Sequence, residues 1–267
     1  MLLNAGASYA LVAAVAGLMI GSFLNVCIYR VPRDMSVVAP RSFCPECGEQ
    51  IAWYDNIPIV SYVVLRGRCR RCRAHIPIRY VLVELATAVL FGAVVAKFGV
   101  TLTALKWAVF EAVLVVLFWT DLEELLLPDE FTLGGTAAGL AFAAFVAVPG
   151  QILHLLIPRA GRVARSYLNA AAGALLLAAP ISLFAWMYAR VRKREGLGWG
   201  DVKLLVFMGV FLGPETGLTA LVIGSVTGCV IGLGYIIVAR KDAATYPLPF
   251  GSFLCVGAAA APFLERG

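Results

Sequence analysis

Long apolar stretches, separated by charged residues or by Gly and Pro, follow one another along this chain. A bilayer core roughly 30 Å thick needs about 20 such residues per helix. The pattern predicts about eight spans, at 8–29, 80–98, 101–121, 131–149, 168–189, 201–216, 218–238 and 248–263. Several are short. The sixth is interrupted by GPETG and the eighth follows YPLPFG, so irregular backbone there is expected to face protein or water rather than lipid. The expected fold class is an all-α polytopic integral membrane protein in a lipid bilayer.

Composition supports this: 61% hydrophobic and 14% charged residues over 267 positions, with a mean hydropathy of +0.88, lie outside the soluble globular range. No basic residue precedes the first apolar run, while Arg30 and Arg33 follow it. That order predicts a retained helix with its N-terminus outside, not a cleaved secretory signal. Nine of the 22 Lys and Arg residues fall in 30–79, and Arg190, Arg192, Lys193, Arg194, Lys203, Arg240 and Lys241 join them in loops assigned to the cytoplasm. One loop dissents: HLLIPRAGRVARSY (154–167), in the longer basic stretch 151–167, puts Arg159, Arg162 and Arg165 on the outer face. It is expected to lie along the interface as a basic amphipathic helix. The net charge of +6 therefore reflects topology, and nucleic-acid binding is the weaker reading.

The largest polar segment, 30–79, holds four of the seven cysteines as CPEC (Cys44, Cys47) and CRRC (Cys69, Cys72). It separates a first transmembrane helix, 1–29, from a membrane core, 80–267. Two such pairs match a four-thiolate zinc site, each turn supplying two ligands. A reducing cytoplasm keeps the thiols free for metal, and flanking arginines stabilise thiolates; a redox pair of dithiols is the competing reading. Four cysteines suffice, which leaves His75 as a loop residue. Cys27, Cys229 and Cys255 stand singly in apolar spans, where cysteine is usually a packing residue. A closed four-cysteine site has no open coordination position, so it is expected to fold the loop and do no chemistry.

Chemistry is then sought among carboxylates in or beside the spans, since an intramembrane ionisable group is costly to keep. These are Glu84, Glu111, Asp121, Asp129 and Asp201. The topology places Asp121, closing the third span, and Asp201, opening the sixth, on the same cytoplasmic face. Two carboxylates a few Å apart do not readily ionise together, so one keeps a proton while the other activates water. That is the minimum for aspartyl peptide hydrolysis. Gly198 and Gly200 permit unusual backbone angles and close approach of another chain. Helix dipoles would favour charge on Asp201, at a helix start, and disfavour it on Asp121, at a helix end, although such a pair titrates as one unit. Residue chemistry alone leaves a plainer account open, with Asp201 capping its helix and Lys203 obeying the positive-inside rule. Glu111 is expected to mark a helix contact, about one turn from Lys106.

GLGWGDVK resembles the GxGD motif of intramembrane aspartyl proteases. The rest of the chain resembles one branch of them, the type IV prepilin peptidases, through GSFLNVCIYRVP (21–32), the cysteine pairs, IPIRYVLVELATA (76–88), DLEELLLPDEFTL (121–133), EGLGWGDVKLL (195–205) and PLPFGSFL (247–254), in that order. The resemblance implies a bifunctional enzyme of the bacterial inner membrane. It would remove the basic leader from type IV prepilins or type II secretion pseudopilins after a glycine, then methylate the new N-terminal residue with S-adenosylmethionine. It carries the catalytic role to Asp121 and Asp201. It also includes Asp129, expected to cap the next helix.

The chain departs from the family at Ala88, where glycine is common in a region associated with methyl transfer. Glu84, one turn inside the second span, is a candidate contact for the methyl donor or the new amine, against a plain pairing with a basic residue such as Arg79. No glycine-rich nucleotide loop marks where the methyl donor binds. Glu123, Glu124 and Glu130 are candidates for reading a basic leader. Two other functions would leave different marks on the sequence. A transporter would string charges along its spans to the outer face or show an inverted repeat. A non-enzymatic scaffold with a zinc-ribbon-like loop would not need either aspartate.

Overall fold

The first helices, α1 (Leu2–Arg30), the short α2 (Val60–Val64), α3 (Arg79–Phe98) and α4 (Leu102–Glu124), show how apolar segments with no polar face find a register. Small residues set it. A Cβ on Gly17 would fall 2.7 Å from Ala88 Cα, and one on Gly21 would fall 2.7 Å from Glu84 Cα. These two glycines, one turn apart on α1, let the α3 backbone come into contact, the small-xxx-small packing of membrane helices. Ala88 is buried at this crossing with Gly17 opposite.

This computed structural model describes residues 2–151, 157, 159–192, 198–240 and 248–264. Lys193, Arg194 and Lys241 of the positive loops, residues 195–197 of EGLGWGD, residues 152–156 and 158 of the basic loop, and the YP of YPLPFG lie outside these. The chain divides into two units, Met1–Val116 and Leu117–Gly267. The described residues are helical, with strand pairing limited to the isolated bridges Phe43–Gln50 and Arg68–His75.

In the first unit the polar loop is tied back to its flanking helices. Arg30, buried at the end of α1, donates to the carbonyls of Ser36 (2.7 Å), Pro40 (2.8 Å) and Arg41 (3.3 Å) and lies over the Phe43 ring. Asn25 Nδ2 donates to Tyr80 O at 3.0 Å. The Ile59 N–H donates to Glu84 Oε2 at 2.7 Å, holding the start of α2 against α3. Glu111 does not pair with Lys106 as its neighbour. Both its oxygens are buried without a hydrogen-bond partner among the described residues, and Lys106 lies over the Trp107 ring instead. Five positions separate the two residues, which turns them to different sides of a 3.6-residue helix.

The second unit contains α5 (Asp129–Ala143), α6 (Arg162–Arg192), α7 (Trp199–Thr227), a π turn (Gly228–Gly232), α8 (Leu233–Val238) and α9 (Phe250–Leu264). Helix α7 is the hub against which α5, α6 and α9 pack. Leu204, Leu205, Phe207, Met208, Phe211 and Leu212 on it are fully buried. The interruption expected at GPETG is a kink at Gly213, whose φ of +71° and ψ of −175° leave the helix. A side chain there would run into the Pro149 carbonyl, and Pro214 removes the next donor. The neighbouring loop is supplied with side-chain partners, as irregular backbone at membrane depth requires. Ser166 Oγ accepts from Val148 N (3.0 Å), Asn169 Nδ2 donates to Val148 O (2.9 Å), and Gln151 N donates to Glu215 Oε1 (2.9 Å).

Among the described residues, five helices are long and apolar enough to cross a membrane: Gly6–Arg33, Arg79–Phe98, Leu102–Glu124, Arg162–Val191 and Trp199–Val238. The sixth and seventh expected spans form that last continuous, kinked path. The fourth and eighth are helices of 15 residues each. Of the stretch 154–167 expected to lie along the interface, residues 162–167 form the start of α6, and residues 154–156 and 158 lie outside the described residues. Arg162 and Arg165 sit in the first turns of this 31-residue helix, which at 1.5 Å per residue spans about 46 Å and outruns the apolar core.

Gly17→Val should separate α1 from α3, costing about 1–3 kcal/mol of packing, and lower the melting temperature of the detergent-solubilised protein. The same substitution at Gly6, whose Cβ would meet nothing within 4 Å, should leave it unchanged.

Candidate active site and metal-binding loop

The segment DLEELLLPDEF places two aspartates eight positions apart by ending one helix and starting the next. Asp121 lies in the last turn of α4, Leu125 stops that helix in the left-handed region (φ +53°), and Leu127 turns inward. Pro128, extended, precedes α5, whose first residue is Asp129. Asp129 therefore does not cap α5 as expected: it stands inside the first turn and makes no capping hydrogen bond. Its carboxylate instead takes both bonds from Lys203 Nζ, at 2.6 and 2.8 Å. Lys203 thus joins the start of α7 to the start of α5. Both side chains are substantially exposed, so the pair is worth about 0–1 kcal/mol.

Asp201 is the third residue of α7, whose N-cap is Gly198. The Gly198 backbone N–H lies against its carboxyl, and Asp121 is close enough to interact with it electrostatically. The two aspartates, 80 positions apart in sequence, thus lie in the same unit and within electrostatic reach of each other. Gly200 allows this, because a Cβ on it would fall 3.1 Å from Leu127 Cβ.

A third helix end completes the site, and sequence reasoning missed it. Ser252, third residue of α9, donates its backbone N–H to Asp121 Oδ2 at 2.6 Å, and its Oγ lies 2.9 Å from the same oxygen and 2.9 Å from Phe118 O. One hydroxyl proton cannot serve both acceptors at once, so the hydroxyl has two settings, toward the carboxylate or toward the α4 carbonyl. Gly251 makes room: a Cβ there would fall 3.1 Å from both Asp121 Cγ and Oδ2. The asymmetry expected from helix ends is therefore offset, because Asp121, at the C-terminus of α4, also faces the N-terminal N–H groups of α9, as Asp201 does those of α7. The available signal was a hydroxyl residue directly after a glycine at the start of an apolar span.

The cysteine loop forms two matching turns. Cys44 N donates to Glu49 O (2.9 Å) and Gly48 N to Cys44 O (2.9 Å); Cys69 N donates to Ala74 O (2.8 Å) and Arg73 N to Cys69 O (3.1 Å). The residue after the second cysteine of each pair, Gly48 (φ +70°) or Arg73 (φ +63°), is left-handed. The four Sγ atoms lie within 4.8 Å of one another, and Cys44 Sγ is 3.8 Å from Cys72 Sγ. That matches the edge of a thiolate tetrahedron around a metal held at about 2.3 Å. Backbone N–H groups of Cys72 and then Arg71 hold the Cys69 thiol down to about 7. Arg70 grips Asp55 with two bonds of 2.6 and 2.7 Å and holds that carboxyl below its ordinary range, while Arg71 pairs with Glu49 of the other turn. His75 is taken up in the bridge with Arg68, outside the cluster.

Helices of membrane-spanning length and a carboxylate pair gathered by three helix ends define a polytopic membrane protein of the GxGD kind. Residues 15–98 match the bacterial peptidase A24 N-terminal domain and residues 108–233 the type IV leader peptidase family. The chain belongs to the type IV leader peptidase family. Relatives named prepilin leader peptidase/N-methyltransferase include one from Myxococcus xanthus, 40% identical over 228 residues (85% of this chain, 63% of that one). Another, from Burkholderia pseudomallei, is 35% identical over 278 residues (94% and 84%), and one from Aeromonas hydrophila is 35% identical over 266 residues (90% and 85%). The chain thus spans less than two thirds of the Myxococcus protein and most of the other two. No solved structure matches it.

Elemental analysis of the purified protein should find one metal ion per chain. The paired substitution Cys44→Ser and Cys72→Ser should abolish it, whereas a metal-free chain with reversible dithiol oxidation would identify a redox pair instead.

Proposed function

We propose that this protein cleaves the basic leader peptide from type IV prepilins or type II secretion pseudopilins and then methylates the new N-terminal residue. The observation that carries this is the meeting of Asp121 and Asp201 at three converging helix ends. In the peptidase step one carboxyl takes a proton from the attacking water while its partner delivers one to the departing amine. Ser252 holds Asp121 in place through both protonation states, since its hydroxyl has an alternative acceptor in Phe118 O. Gly198 and Gly200 leave the backbone beside Asp201 open to an extended substrate, and the Lys203–Asp129 pair fixes the start of α7 relative to α5. Exposed Glu123, Glu124 and Glu130 flank the dyad and suit a leader rich in Lys and Arg.

The metal we assign is zinc, held by Cys44, Cys47, Cys69 and Cys72. When bound, zinc closes its coordination shell on four thiolates and stabilises the loop. For methylation, S-adenosylmethionine supplies an electrophilic methyl group when bound. Two polar groups at the α1–α3 junction suit that ligand or the acceptor amine: Asn25, whose buried Oδ1 has no partner among the described residues, and Glu84, which keeps Oε2 on the Ile59 N–H. The positive loops put the N-terminus outside and the dyad at the cytoplasmic face of the inner membrane. Residues 30–79 form the metal-binding loop between a first span, 1–29, and the peptidase core, 80–267.

With purified prepilin and S-adenosylmethionine, wild type should yield a shortened, methylated product by N-terminal mass, whereas Asp121→Asn and Asp201→Asn, folded, should yield none. Residual cutting by either variant would reassign the pair. Reversing the charge of Glu123, Glu124 and Glu130 together should slow cleavage of basic leaders.

Ser252→Ala removes one hydrogen bond to a charged group, worth about 1.5 kcal/mol or more, so kcat should fall about tenfold with KM unchanged, and the melting temperature should drop by a few degrees. Ser252→Thr should recover most of the loss.

A further inference from the structure

The polar loop of the first unit carries an apolar surface that neither the dyad nor the cysteine cluster uses. Between Trp53 and Val64 the chain forms a short 3-10 turn (Trp53–Asn56) and then α2. Pro58 and Ser61 turn inward, and Ser61 Oγ pins the segment by accepting from Ile57 N (3.0 Å) and donating to Tyr54 O (2.9 Å). Trp53 (72% exposed), Val63 (68%) and Val64 (67%) point outward with Tyr54, Ile57 and Val60. Six large apolar side chains exposed within 12 residues are costly in water.

Depth along the membrane helix says what covers them. The bond from Ile59 N–H to Glu84 Oε2 sets the start of α2 beside the sixth residue of α3, about 7.5 Å past the helix start at 1.5 Å per residue. At that level α3 exposes Leu82 and Leu85, the apolar side chains of a membrane-spanning helix. The segment thus folds back from the cysteine turns to the level where lipid begins. Trp and Tyr are the residues favoured there. Arg66 and Arg68 follow directly, exposed and forming no ion pair among the described residues. Such a pair is suited to anionic phospholipid headgroups and would repel a basic peptide.

We propose that residues 53–64 dock into the headgroup and upper acyl region of the chain's own membrane, with Arg66 and Arg68 on anionic phospholipid. The loop then lies on the bilayer as an interfacial element and holds the metal cluster at the surface. This stands on the first unit alone and does not require the proposed peptidase activity.

The test uses the full-length protein in nanodiscs of phosphatidylcholine and phosphatidylglycerol, some lipids bearing a nitroxide near the headgroup. The tryptophan emission lost in Trp53→Phe should be quenched by the labelled lipid and shielded from aqueous iodide. Val63→p-benzoylphenylalanine should, on irradiation, give phospholipid adducts by mass, and this measurement holds even if Trp53→Phe disturbs the loop. Iodide quenching without lipid quenching, together with no lipid adduct, would overturn the inference. So would adducts that form only with an added prepilin, which would make the surface a substrate-docking site.

Discussion

The pairing of Asp121 with the first turn of α9 is the contact around which the second unit is organised. A carboxylate at the C-terminal end of an apolar helix faces unpaired carbonyls and little water, and without donors it would be expensive to keep. Ser252 supplies two donors from 131 positions away, and this requires α9 to begin at the place where α4 ends. Gly251 and Leu127 fill the space between them, and Leu127 in turn backs Gly200 at the start of α7. The demand of one buried carboxylate for donors is therefore met where three helix ends come together, with Asp201 on the third of them.

Helix packing serves the same end by different means. With no polar faces to select a register, α7 meets its neighbours through glycine contacts, against Gly173 on α6 and Gly257 on α9, where dispersion between closely approached backbones replaces a hydrophobic driving force. The kink at Gly213 is supported by the Val148–Gln151 loop and its side-chain partners. The path from Asp201 to the kink of α7 is thus held at both ends by satisfied polar groups and between them by small residues.

The first unit uses polar groups to anchor a loop. Arg30 closes three carbonyls of the segment leading to Cys44, Glu84 receives the Ile59 N–H, and matching left-handed residues end the two cysteine turns. The position of Glu84 suits either a ligand contact or a pairing with a basic residue such as Arg79, and in the structure one of its oxygens ties α2 to α3. Lys203 and Asp129 show the same shift from charge to geometry: one looked like topological charge and the other like a helix cap, and they bind each other.

Much of this was legible in the chain itself. Apolar run length gave the helices, the spacing CPEC and CRRC gave the cluster that the four Sγ atoms form, and GPETG marked the break that falls at Gly213. These follow from local rules: bilayer thickness, the reach of one tight turn, the φ that only glycine adopts freely. What tertiary structure alone decided is long-range: Ser252 as the partner of Asp121, Asp129 paired with Lys203 instead of capping α5, and Glu111 buried apart from Lys106. A hydroxyl, a carboxylate and a lysine look alike in sequence whether they meet water, backbone or one another. Only the approach of helices many tens of residues apart selects the partner, because hydrogen bonds and ion pairs act over a few Å.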